Sequence, residues 1–140
     1  AIISLVIFSC DTAEDNGTAK ITLTGTQLGG CFGGGLGKVQ ASGDTVFFTK
    51  LAENELLMSV GLRKNCCAAL AHQFDAYLNE ITVMVEDTSG RVCRCLPCYY
   101  QIDYKIKTES ANEIKYKVLF RAYHDSTFTN ILSGIYLNKD

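Results

Sequence analysis

The 140-residue chain is one domain's worth of sequence, long enough to bury roughly two thirds of its unfolded surface in its own core. Its formal charge of -2 is spread without blocks, which excludes the basic stripe of a nucleic-acid footprint and the like-charge run of a solvated tail. Seven cysteines are many for a compartment where thiols stay reduced, and their odd number asks which one stands apart.

The chain opens Ala1-Ile2-Ile3-Ser4-Leu5-Val6-Ile7-Phe8-Ser9-Cys10 and turns polar at once, with Asp11, Glu14 and Asp15 close behind. The apolar run is too short to span a bilayer, which needs about 20 residues. It reads as the end of a signal-peptide hydrophobic region; a half-buried first strand would alternate, and this stretch does not. Ile7-Phe8-Ser9-Cys10 resembles a lipobox, the motif of bacterial lipoproteins in which the cysteine receives a lipid and becomes the N-terminus. The resemblance implies a residual signal segment over 1–10, lipidation at Cys10 and a flexible acidic tether over 11–19. Such acidic stretches accompany surface export in Bacteroidetes-type lipoproteins. With Cys10 consumed, an even set of cysteines remains, which suits an oxidising compartment. A lipid attaches a protein to a membrane without spanning it.

Residues 20–24 alternate and read as a strand. The glycine-dense stretch 25–37, which contains Cys31, reads as loop, because glycine loses the most entropy on ordering. It is no phosphate cradle: Phe32 stands where a P-loop needs its first glycine, and Val39 where it needs Ser or Thr after Lys38. Residues 45–50 and 55–62 read as a hairpin turned at 52–54, with Leu56, Met58 and Val60 on one face. Residues 68–78 admit two readings. Cys67, Leu70 or Ala71, Phe74 and Tyr77 or Leu78 recur at helical spacing. Alternation instead puts His72, Phe74, Ala76 and Leu78 inward. The strand reading is preferred, because Asn79-Glu80 makes a tight turn into 81–86, where Ile81, Val83 and Val85 alternate cleanly. Tyr100, Ile102, Tyr104 and Ile106 share one face of the clearest strand, and Ile114, Tyr116, Val118 and Phe120 share a face of the next. Across a turn at 110–112 these two read as antiparallel neighbours with one wet face. A last strand is expected near 133–138.

After Cys10 and Cys31 the cysteines fall into Asn65-Cys66-Cys67 and Cys93-Arg94-Cys95-Leu96-Pro97-Cys98, each at a strand end. Three chemistries compete for them. Structural disulfides come first: two bridges from the Cys66/Cys67 pair to the 93–98 cluster, each closing about 30 residues and adding roughly 3 kcal/mol. Bonding between the adjacent Cys66 and Cys67 is disfavoured by strain. A soft-metal site is second, with thiolates from Cys66, Cys67, Cys93, Cys95 and Cys98 suited to zinc or copper; Cys95 and Cys98 have zinc spacing, Cys66 and Cys67 do not. Thiol redox catalysis is third and weakest. Cys95-Leu96-Pro97-Cys98 looks like a thioredoxin-type motif, but a strand follows where that chemistry wants a helix N-terminus.

The paired-cysteine element, the intervening hairpin and the Cys-x-Cys-x-x-Cys element ahead of Tyr99-Tyr100 resemble a group of small uncharacterised cell-envelope lipoproteins of Bacteroidetes. The resemblance covers about residues 55–107 and the lipobox. It implies class and address, and no activity.

No constellation points to an enzyme. His124-Asp125-Ser126 places three triad residue types side by side, yet adjacent side chains cannot converge on one substrate atom. No carboxylate pair stands out. The expected protein is an all-β domain over 20–140, an antiparallel β-sandwich (Ig-like) or partly open barrel of about seven or eight strands. Its expected role is a non-enzymatic binding or structural module without cofactor. It would be lipid-anchored at the bacterial outer membrane or cell surface and would bind a protein or glycan, not nucleic acid. The alternative is an envelope protein that binds zinc or copper.

Overall fold

A computed structural model describes residues 20–31 and 43–138. Cys10, the 1–10 segment, the 11–19 tether and residues 32–37 of the glycine-dense stretch lie outside the described residues. The strands are β1 (Lys20–Leu28), β2 (Thr45–Ala52), β3 (Glu55–Lys64), β4 (Leu70–Tyr77), β5 (Glu80–Asp87), β6 (Cys98–Glu109), β7 (Glu113–Arg121) and β8 (Thr129–Leu137). They form two four-stranded sheets, β1-β6-β3-β2 and β4-β5-β7-β8, which pack face to face and do not close into a barrel. The expected sandwich is thus observed. Its strand order is its own, not the ABED-over-CFG order of immunoglobulin constant domains.

Period-two alternation decides what is inside. Leu56, Met58, Val60 and Leu62 of β3 and Ile102, Tyr104 and Ile106 of β6 face Ile81, Val83 and Val85 of β5 and Ile114 and Val118 of β7, all buried. Each such side chain contributes about 1.5–3 kcal/mol by leaving water. One polar pair sits among them: the buried Tyr104 hydroxyl lies 2.8 Å from His72 Nδ1. Burial pushes the phenol pKa up and the imidazole pKa down, which favours the neutral form of both partners in this hydrogen bond.

Several expectations need correction. The segments that became β6 and β7 are not neighbours. The turn at 110–112 carries the chain from one sheet to the other, and β7 lies parallel to β5, from Glu80↔Lys115 to Glu86↔Arg121. Alternation tells which face of a strand is wet, not which strand lies beside it. The turn itself holds the cause. Ala111 is buried, Ser110 takes φ 60°, and Asn138 at the end of β8 binds the Ala111 carbonyl through its side chain.

The 68–78 segment is a strand, β4, so the helical spacing misleads there. Leu78, expected inward, is 44% exposed and sits in the turn at φ 55°. The turn falls on Leu78 and Asn79, one residue early. Asn79 fixes it: its side chain donates to the Glu113 carbonyl at 3.0 Å, and its own carbonyl accepts from Lys115 at 2.9 Å. Lastly, the glycine-dense stretch is not loop from its start. β1 runs on through Gly25 to Leu28, because the long strand β6 offers it ladder partners as far as Ile102.

The connections sort by end. At one end sit the tight turns at 53–54, 78–79 and 110–112, together with the start of β1. At the other, residues 29–31 and 43–44, 65–69, 88–97 and 122–128 come together, since β5 and β7 run in parallel and finish there.

Candidate functional site

The second end holds every cysteine of the described residues. Cys31, just past β1, bridges Cys98 at the start of β6 with Cα atoms 5.1 Å apart. Cys66 bridges Cys95 across 6.1 Å, and Cys67 bridges Cys93 across 5.7 Å. All three separations lie in the range a disulfide requires. The first bridge joins neighbouring strands of one sheet. The other two tie the 65–69 connection to the 88–97 connection, and both of these cross from one sheet to the other. The structure therefore has both bridges expected between the Cys66/Cys67 pair and the 93–98 cluster. It gives Cys31, which the sequence left unplaced, to Cys98.

Asn65 is the polar hub of this end. Its Oδ1 accepts from the Cys67 and Cys93 amides, both at 3.0 Å, and its Nδ2 donates to the Cys93 carbonyl at 2.9 Å. The side-chain amide so behaves as a strand residue facing Cys93, and holds Cys67 and Cys93 in place for their bridge. The Asn65 carbonyl accepts from Ala68 at 2.9 Å and from the Tyr100 hydroxyl at 3.0 Å. Burial first, and the Asp87 carboxylate second, raise the Tyr100 pKa, which keeps that donor protonated. Asp87 caps the other side: it accepts from the Ala69 amide at 3.2 Å and the Ser89 amide at 2.9 Å. Nearby, the Tyr99 ring lies over Gly61, where any Cβ would overlap it, and reaches the Thr45 hydroxyl at 3.1 Å.

Outside this framework the 88–97 connection stands in solvent. Val92 is 63% and Leu96 75% exposed, and Arg91, Arg94 and Pro97 are exposed beside them. No residue from 88 to 98 is acidic. The connection thus presents two apolar side chains and two guanidiniums on a segment that two bridges hold. The 122–128 connection lies at the same end. Arg121 there binds the Glu86 carboxylate and lies over the Phe128 ring at 5.4 Å. His124 Nε2 is 3.5 Å from Asp125 Oδ1, both side chains are exposed, and Ser126 follows in the turn.

Of the residues expected at the site, Cys66, Cys67, Cys93, Cys95 and Cys98 come together; Cys10 lies outside the described residues. In the bridged state these sulfurs carry no thiolate, so a soft-metal reading concerns the reduced protein. His72 is not among them, since its Nδ1 is engaged by Tyr104. Sequence reasoning missed Asn65 as a hub and the 91–96 apolar-cationic surface. A signal for each was present. Asn at a strand end, ahead of two residues that must turn, is a residue type whose side chain binds neighbouring amides. Val92 and Leu96 break the polarity expected of a connection between strands. No family model, curated protein or solved structure matches the chain.

Proposed function

We propose that the chain is a lipid-anchored, non-enzymatic binding module of the bacterial outer membrane or cell surface, and that its cysteine end is the recognition surface. The observation that supports this reading most is the exposure of Val92 and Leu96, alongside Arg91 and Arg94, on a connection stapled by two bridges. A partner meeting that surface orders little on binding, because the backbone is already held. The anchor half rests on the lipobox-like residues 7–10 and on the surplus of one cysteine over the three bridges.

The anchor is tested by producing the full precursor in a bacterium that lipidates envelope proteins. Acyl chains on Cys10 by mass spectrometry, and release of a Cys10→Ser variant from the membrane fraction, are expected. An unmodified Cys10 in the soluble fraction ends the anchor reading. The binding half is tested on glycan and peptide arrays, comparing the oxidised chain with a Leu96→Asp variant. Retained binding by the variant moves recognition away from this end. Counting free thiols by alkylation and metal by elemental analysis decides the remaining case: about one equivalent of zinc or copper on unpaired thiols turns the cysteine end into a metal site.

A further inference from the structure

Among the described residues, four strands lie at sheet edges: β1, β2, β4 and β8. An edge strand exposes unpaired backbone donors and acceptors, and proteins guard it with charge, proline or bulges. β1 opens with Lys20 and bulges at Thr24; β2 carries Lys50 and bulges at Leu51; β4 carries His72 and Asp75. β8 reads Thr-Asn-Ile-Leu-Ser-Gly-Ile-Tyr-Leu, with no Asp, Glu, Lys, Arg or Pro. Its one irregularity falls at Ile131. From Leu132 to Leu137 it pairs regularly with β7, and among the described residues β7 is its only neighbour.

The strand is also stiffly backed. Tyr136 stacks on Phe48 at 4.4 Å, and the Tyr116 ring covers Gly134. On the outer face, Ile135 is 58% and Leu137 52% exposed, in register with Lys115 and Glu113. A flat, uncharged edge with two bare aliphatic side chains is built to take another strand.

We infer that the occupant is a second copy of this chain, paired β8 to β8, antiparallel, about a two-fold axis perpendicular to the sheet. The argument is charge. In an isologous joint a strand meets its own sequence, so any charge near the axis meets its like. β8 is the one edge that brings no charged side chain to such a meeting. The same axis keeps Ile135 and Leu137 of both copies on one face, where each shields the other from water. The two four-stranded sheets become one of eight, and the two cysteine ends point to opposite poles. None of this rests on the recognition reading of the cysteine end. If both copies carry a lipid, their tethers start at opposite ends, and both reach one bilayer only when the dimer lies with its strands along the membrane.

The test uses the full oxidised chain with Cys10→Ser, so that neither lipid nor a spare thiol joins copies. Sedimentation velocity over a wide concentration range is expected to show a monomer–dimer equilibrium with a Kd in the micromolar range. Amide hydrogen exchange in residues 132–137 is expected to slow as concentration rises. Ile135→Lys places a cation on the joint and is expected to weaken dimerisation at least about ten-fold while the dilute monomer still unfolds in one cooperative transition. Leu96→Lys, at the cysteine end, is expected to leave dimerisation unchanged. A monomer at every concentration overturns the inference. So does association that Leu96→Lys removes and Ile135→Lys does not. So does exchange in 132–137 that ignores concentration: if slow throughout, a segment of the same chain covers the edge; if fast throughout, copies meet elsewhere.

Discussion

At the turn end of the sandwich the strands are joined at 53–54, 78–79 and 110–112 by connections of two or three residues, held by backbone geometry and by Asn79 and Asn138. At the cysteine end the connections are longer, and three bridges with the Asn65 and Asp87 side chains hold Cys31, the 65–69 connection and the 88–97 connection. The contrast follows from loop entropy. A short turn has few conformations to lose, whereas each longer connection must be tied down if it is to keep one shape. A longer connection also has room for side chains that serve no core. Val92 and Leu96 are of that kind: exposed, on a segment whose backbone two bridges tie down.

The sharpest way to break this comparison is to cut the bridges. Replacing Cys31 and Cys98 together by Ala reopens a span of 67 residues and is expected to cost about 4 kcal/mol in urea unfolding. Removing Cys66–Cys95 and Cys67–Cys93 together, with spans of 29 and 26, is expected to cost slightly less, about 3.5 kcal/mol, and removing either alone less again, because the other still closes nearly the same loop. A loss below about 1 kcal/mol for all three would show that the cysteine end holds its shape without them.

Next in size is Asn65→Ala. It orphans two amides and a carbonyl and is expected to cost about 2–3 kcal/mol, while Asn65→Asp keeps the acceptor and costs about 1 kcal/mol. If Asn65→Ala behaves like an exposed substitution, within about 0.5 kcal/mol, then water replaces the hub and Asn65 does not organise this end.

How much of this was legible in the sequence depends on the range of the signal. Which residues face the core could be read from period two: Leu56, Met58 and Val60, Ile81 to Val85 and Tyr100 to Ile106 alternate and are buried, although Ser59 and Gly61 of β3 are buried as well. Strand neighbours could not be read, because Tyr104 and Val118 obey the same alternation whether their strands share a sheet or face each other across the core. That Cys66 and Cys67 bridge to the 93–98 cluster was legible from the two groups; that Cys66 takes Cys95 and Cys67 takes Cys93 was not. Nor was Cys31, since its place depends on β1 running on through Gly25, against glycine's local preference. Leu78 hid its turn for a similar reason: leucine at positive φ is disfavoured locally, and only the bonds from Asn79 to β7 impose it.

That strain gives a prediction of opposite sign at the turn end. Leu78 sits at φ 55° and is 44% exposed, so Leu78→Gly loses little burial and removes the left-handed penalty. The variant is expected to be more stable than the parent by about 0.5–1 kcal/mol, with the gain reduced by glycine's freedom in the unfolded chain. A destabilised Leu78→Gly protein would mean that the exposed part of Leu78 understates its packing, and that the turn end too depends on side-chain contacts.

The smallest expected effect on stability carries the most weight for function. Leu96→Ser changes a side chain that is 75% exposed and outside every bridge and hub contact of its connection, so unfolding is expected to shift by less than about 0.5 kcal/mol. Arg94→Ser, on the same exposed surface, is expected to behave alike. An apolar side chain left in water costs the free protein solubility and returns nothing to its core. If unfolding of Leu96→Ser is unchanged and array binding is lost, the residue serves recognition alone, and the two ends divide labour: one closes the fold, the other spends bridges on holding a surface. If unfolding instead falls by more than about 1 kcal/mol, Leu96 packs against the cysteine end in solution, the connection folds back on its bridges, and the three disulfides are there to build a small second core.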